Sequence, residues 1–139
     1  MTKATHSFPI RVYYEDTDAA GIVYYANYLK FAERARTEAL REANIAQSSL
    51  LRDKKIGFVV RRCIVDFLKP AKLDDLLTID TKLHDISRVS ICMEQRILRG
   101  DETLVKLEVK LAVVGSGLKP VKLPDFVRDA LIEIFNYKK

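Results

Sequence analysis

Hydrophobic and polar positions follow two different periods along this chain, and the switch between them sets its organisation. Ile10 to Tyr14 is a short run of β-branched and aromatic residues that predicts a strand, with residues 1–8 ahead of it as a loose end. The next seven residues, Glu15-Asp16-Thr17-Asp18-Ala19-Ala20-Gly21, are turn formers and carboxylates. From Tyr28 to Ala43 the period becomes helical: Tyr28, Phe31, Ala32, Ala35 and Ala39 fall on one face, and Lys30, Glu33, Arg34, Thr37 and Arg41 on the other. Alanine on a buried face lets a helix approach its partner closely, which suits the concave side of a curved sheet.

After Lys55 the period drops to two. Gly57 to Leu68 is apolar on both faces apart from Arg61, Arg62 and Asp66, which predicts a central strand with one face covered by another subunit. Leu77, Ile79, Thr81 and Leu83 alternate with Thr78, Asp80, Lys82 and His84. Val89, Ile91, Met93 and Ile97 give the inward face of the next strand, and Val105, Leu107, Val109, Leu111 and Val113 that of the last, alternating with Leu104, Lys106, Glu108, Lys110 and Ala112. Asp85–Ser87 and Gly100-Asp101 are the turns, so these strands are antiparallel neighbours. Pro124 opens a final helix as its first residue, with Val127, Ala130, Leu131, Ile134 and Phe135 as its apolar stripe. The pattern is α+β: helices gathered on one face of an antiparallel sheet, in a single domain over residues 1–139.

Composition narrows the chemistry. Hydrophobic residues make up 48% and charged residues 31%, and no apolar run approaches the ~20 residues of a bilayer span. The polar start, Met1 to Arg11, has no signal-peptide apolar region, so a cytoplasmic location is expected. Cys63, Cys92, His6 and His84 lie far apart without metal-ligand spacing, so the thiols read as reduced structural residues and no metal site is expected. With two histidines, neither beside a serine nucleophile, acid–base chemistry falls to carboxylates. The net charge of +5 is spread along the chain, with no RNA-binding or zinc-finger signature, so a small phosphate-bearing ligand is a sharper reading than nucleic acid.

One segment stands out. Glu15, Asp16 and Asp18 place three carboxylates within four residues, ahead of an apolar, aromatic run that enters the helix. Backbone N–H groups of a first helical turn stabilise a carboxylate, and can equally stabilise a developing oxyanion. Gly21 supplies a position where a ligand can approach backbone. Against this stands the ordinary reading of such aspartates as caps or turn residues, and of Tyr13, Tyr14, Tyr24 and Tyr25 as core or interface residues.

Arg11-Val12, then Thr17-Asp18, then Gly21-Ile22-Val23-Tyr24-Tyr25, and the continuation from Ala26 to Arg36, resemble the signature of the 4-hydroxybenzoyl-CoA thioesterase family. The subgroup most similar is the acyl-CoA thioesterases encoded with the bacterial Tol–Pal system. The resemblance implies a hot-dog fold, an antiparallel sheet wrapped around the Tyr28–Ala43 helix, working as a homodimer with interfacial sites that often pairs into a tetramer. It implies hydrolysis of an acyl-CoA thioester, with Asp18 as nucleophile or general base. Backbone N–H groups around Gly21, Tyr24 and Tyr25 would form the oxyanion hole, with Tyr14 and Tyr25 lining the reacting centre. Many Tol–Pal-type members carry histidine where this chain has Tyr25. Arg88 and Ser90 match a position that holds CoA in relatives, and Lys55 and Arg62 are further phosphate-binding candidates. No cofactor is implied, since CoA enters as part of the substrate; acyl carrier protein is a second possible carrier of the acyl group. The rival readings are a hot-dog hydratase or dehydratase, which relies on a histidine absent from residues 11–43, and a non-catalytic acyl-CoA or carrier-protein binding module.

Overall fold

A computed structural model describes residues 5–138. Five strands, β1 (His6–Arg11), β2 (Gly57–Phe67), β3 (Leu76–Ile86), β4 (Ser90–Arg99) and β5 (Glu102–Val114), form one antiparallel sheet in the order β1-β3-β4-β5-β2. Helix α1 (Asn27–Glu42) lies against β3, β1 and β4, a short α2 (Gln47–Lys54) leads into β2, and α3 (Asp125–Ile134) packs on β3. The architecture is the expected α+β hot dog.

The core forms where the two periods meet. Tyr28, Phe31, Ala32, Ala35 and Ala39 of α1 are all buried, as the alanine-rich face requires for close approach to the sheet. Leu77, Ile79 and Leu83 of β3, Ile91, Met93 and Ile97 of β4, and Val105 to Val113 of β5 meet them from below. Each large side chain so buried contributes roughly 1.5–3 kcal/mol. Gly100, at φ +62°, turns the β4–β5 hairpin in a conformation that strains any side chain.

Several expectations are corrected. His6–Phe8 are not loose: they pair with Thr81–Ile79 of β3, and residues 1–4 of that predicted end lie outside the described residues. The first strand stops at Arg11, and Tyr14–Asp16 form a 3₁₀ turn held by the Asp16 carboxylate, which accepts the Tyr13 N–H at 2.9 Å. Strand β2 is an edge strand, not a central one, and most of it is exposed in the single chain. Its two-sided apolar pattern reflects something other than burial between strands of this chain. Val89 is 44% exposed and precedes β4, while Leu104, expected on the outer face, is fully buried. Its carbonyl accepts the N–H groups of Leu68 and Lys69. Pro124 is the N-cap of α3 rather than its first residue; its carbonyl accepts the Val127 and Arg128 N–H groups. Helix α2 was not foreseen, because only Leu50 of its eight residues is buried.

Candidate active site

The segment between β1 and α1 folds into a small hairpin. Thr17 bridges Val23, the Asp18 N–H donates to the Ile22 carbonyl at 2.9 Å, and the Gly21 N–H returns to the Asp18 carbonyl at 3.0 Å. Gly21 takes φ +80° at this turn, with no atom within 4 Å of where a Cβ would stand. The Asp18 side chain is exposed, and its Oδ1 accepts the Ala20 N–H at 2.9 Å. This is an Asx-type contact that holds the carboxylate in one orientation and leaves its other oxygen free of described partners.

The hairpin is docked from beneath. Ile22 bridges Lys72, the Val23 N–H donates to the Ala71 carbonyl at 2.9 Å, and the Ala71 N–H donates to the Tyr28 hydroxyl at 2.9 Å. Burial pushes the Tyr28 phenol above its ordinary range, partly offset by that N–H, with a small further rise from the Asp18 carboxylate. A polar clamp fixes the 69–75 loop: the Asp75 carboxylate accepts the Lys72 N–H and the Arg99 guanidinium, both at 2.8 Å, and Glu102 joins Arg99 to Lys69. Burial alone would raise the Asp75 carboxyl, but the Lys72 N–H and Arg99 outweigh it and hold it below the usual carboxylate range. None of this clamp is visible as a sequence pattern, because its members are separated by up to 33 residues.

Donors at the start of α1 are partly committed. The Tyr24 N–H donates to the Asp16 carbonyl and the Asn27 side chain to the same oxygen, both at 2.9 Å. The N–H groups of Tyr25 and Ala26 donate to none of the described residues. Around them stand aromatic rings: Tyr25 meets Tyr24 at 4.9 Å and Phe67 of β2 edge-on at 6.1 Å, and Phe67 meets Tyr28 at 5.9 Å. Phe67 was missed from the sequence, where it reads as one more strand residue. Tyr14, 83% exposed, and Tyr25, 61% exposed, both face open space. The structure therefore brings Asp18, Gly21, Tyr24 and Tyr25 together in one exposed segment, with Tyr14 on the adjoining 3₁₀ turn.

The four expected phosphate-binding residues lie elsewhere. Phe67 pairs with Val105 and Val105 with Ile97, whereas Ser90 sits seven residues back along β4, roughly 23 Å away at the usual rise per residue. Arg88 lines a cleft of about 520 Å³ with Asp85, Ser87, Lys122 and Arg128, and the Ser90 hydroxyl bonds that of Ser87 at 2.6 Å. Lys55, the left-handed C-cap of α2, precedes Gly57 at this same end of the sheet, while Arg62 pairs with Lys110 midway along β2. Among the described residues no three His, Cys, Asp or Glu side chains converge on a cation site. No helix among the described residues is long and apolar enough to cross a membrane. Cys63 and Cys92 are free, and burial raises both thiols above the usual range.

The sequence profile of the thioesterase superfamily matches residues 20–106. The chain belongs to the thioesterase superfamily. It is similar to the acyl-CoA thioesterase YbgC of Haemophilus influenzae, with 49% identity over 125 residues, covering 89% of this chain and 92% of that protein. The acyl-CoA thioester hydrolase YbgC of Escherichia coli O157:H7 shares 42% over 126 residues, covering 89% and 93%. Among solved structures, a probable thioesterase from Bartonella henselae superposes with a TM-score of 0.83 at 41% identity, over 86% of this chain and 99% of that one. A gentisyl-coenzyme A thioesterase superposes at 0.81 with 30% identity, over 88% and 98%. The superfamily match begins at Ala20, so it takes in Gly21, Tyr24, Tyr25 and the whole of α1.

Proposed function

We propose that this thioesterase-superfamily enzyme hydrolyses acyl-CoA thioesters, with Asp18 as its nucleophile or general base. The observation that carries the reading is the oriented, exposed Asp18 carboxylate on a hairpin that leads into two uncommitted N–H groups, those of Tyr25 and Ala26. A thioester carbonyl oxygen resting on those donors gains from two N–H dipoles and from the positive end of α1, and one such donor typically supplies ~2.7–4 kcal/mol. Asp18 either takes a proton from a water that attacks the carbonyl carbon, and passes that proton to the sulfur as the C–S bond breaks to give the free acid and the CoA thiol, or attacks the carbon itself. In the second case the C–S bond breaks to leave an aspartyl–acyl anhydride, which water hydrolyses to the free acid and the restored Asp18 carboxylate, the water supplying the proton of the CoA thiol. Of the three expected donors, the Gly21 N–H is committed to the Asp18 carbonyl and the Tyr24 N–H to that of Asp16, so this reading gives the oxyanion role to Tyr25 and its neighbour Ala26.

The distant cleft, lined by Arg88, Lys122 and Arg128 together with Asp85 and Asp125, has a place in the same scheme. Strand β2 presents a mostly apolar edge of 11 residues that pairs with no other strand among the described residues. An exposed edge of this length pairs readily with another strand. Antiparallel pairing of β2 with a second copy sets the Phe67 end of one strand beside the Gly57 end of the other. Asp18 of one chain then faces the cleft of Arg88, Lys122 and Arg128 of the partner subunit, where CoA phosphates meet cations. The active unit on this reading is a homodimer, and acyl-CoA in the cytoplasm is its substrate.

Free-thiol release from short, long and aromatic acyl-CoAs tests the activity. Co-expressed D18N and R88E chains test the shared site, since each mixed dimer keeps one intact centre. Recovered turnover in the mixture, from two weak parents, is the expected result. No release from any acyl-CoA by the wild-type chain would overturn the reading.

A further inference from the structure

The most unusual buried group in the chain is Arg36. It lies on the sheet-facing side of α1, is 8% exposed, and has no carboxylate within ion-pair distance among the described residues. Glu33, one turn earlier, is exposed and forms no ion pair with it. Only its Nη1 donates to a described residue, the Gln95 Oε1 at 2.9 Å. Gln95 is itself fully buried, and its Nε2 donates to the Ala32 carbonyl and the Thr81 hydroxyl, both at 2.9 Å. Both N–H groups of the Gln95 amide are thus used, while the guanidinium keeps donors to spare. Its other guanidinium nitrogens have no described partner and are not among the fully buried atoms, so these permanently protonated donors stay open to a ligand.

The position of this group supplies a purpose. Cys63, Val65 and Phe67 share the β2 face that pairs with Val109, Leu107 and Val105, the core face of β5. Cys63 is close enough to Arg36 for the guanidinium to bias its thiol downwards against burial. Helix α1 covers β1, β3 and β4, so this face of β2 forms an open lane. At one end the lane begins at Phe67, in contact with Tyr25 and Tyr28 beside the proposed oxyanion donors. At the other it reaches Cys63 and Arg36. From Tyr28 to Arg36 the helix rises by about 12 Å. The Arg36 side chain leans back towards the helix N-terminus, as helical side chains do, and shortens that span.

We infer that Arg36, oriented by Gln95, is a specificity-determining residue that receives a hydrogen-bond-accepting oxygen at the far end of the acyl group. The inference rests on the thioesterase reading above. The substrates it selects are acyl-CoAs carrying a distal carboxylate or hydroxyl, and a plain alkyl chain of the same length covers the free guanidinium donors without pairing them. A site built to hydrogen-bond a substrate oxygen discriminates strongly against the analogue that lacks it.

The test compares kcat/KM within matched sets: hexanoyl-, 6-hydroxyhexanoyl- and adipoyl-CoA, with acetyl-CoA as a substrate too short to reach Arg36. The wild-type enzyme is expected to favour at least one oxygen-ended member over hexanoyl-CoA by about tenfold or more. Which of the two it favours separates a hydroxyl from a carboxylate ligand. R36M is expected to bring that ratio to one or below, and R36K, which keeps the charge but loses the planar fork, to fall between. A wild-type ratio at or below one would overturn the inference without any variant. An unchanged ratio in folded R36M would overturn it as well. Should R36M not fold, R36K and the wild-type ratio decide. Loss of wild-type turnover on acetyl-CoA as well would remove the thioesterase reading itself, and this inference with it.

Discussion

The two edges of the sheet are built in opposite ways. Strand β1 is short, six residues, carries Pro9, and is backed by α1, with Ile10 buried and Phe8 packed against the core. Short length and proline are ordinary protections against edge pairing. Strand β2 is 11 residues long, contains no proline, and exposes Val59, Val60, Ile64 and Phe67. One edge is short, backed by a helix, and stabilises the fold. The other is open, and the candidate chemistry gathers at its end: the Asp18 hairpin touches β2 through the Tyr25–Phe67 ring contact. On the proposed reading, the difference teaches that exposure of apolar strand residues here marks a working surface rather than poor packing.

This contrast can be broken from either side. The largest effect is expected on the open side. Asp18→Asn keeps an oxygen to accept the Ala20 N–H, so the fold is retained, while loss of a general base or nucleophile lowers turnover by about 10²–10⁴-fold. On the β1 side the roles reverse. Ile10→Ala empties a buried position at a cost of roughly 2–5 kcal/mol in denaturant unfolding, with kcat per folded molecule unchanged. Tyr28→Phe sits on the boundary between them. It leaves the buried Ala71 N–H without its acceptor, so a lower Tm, equivalent to about 1–3 kcal/mol, is expected, with a smaller loss of activity as the hairpin's support loosens.

The smallest effect is in the clamp beneath the hairpin. The folded Asp75 carboxyl is held below its ordinary value of about 3.9, so its contribution is fully present above that pH. It is lost as pH falls through the lower folded value. Arg99→Met, which removes one of the groups holding it there, should flatten the acid limb of a stability–pH profile, by about 0.2–1 kcal/mol for a partly exposed pair. An acid limb identical to that of the wild type would show that the clamp adds nothing.

Periodicity made much of this molecule legible. The α1 face, the alternation of β3, that of β5 beyond Leu104, and the Gly100 turn are each imposed by neighbours in sequence, and they read correctly. Strand β2 misled because its pattern records what lies against both faces without recording which strands border it. Gln95 was invisible for a related reason. It occupies an inward position of β4 as a polar residue, tolerated only because Arg36, Thr81 and the Ala32 carbonyl converge on it from far along the chain. At the site, the motif pointed to the hairpin, yet the commitment of the Tyr24 N–H to Asp16 and the distance of Arg88 and Ser90 from Asp18 depend on three-dimensional placement.

The most direct test of the central claim, that Asp18 does the chemistry at the open edge, is thiol release by the wild type and D18N under one set of conditions, each with a melting curve. Turnover by the wild type that falls about 10²–10⁴-fold in D18N, at unchanged Tm, is the predicted result. Equal turnover in the two proteins would contradict it and move the catalyst elsewhere.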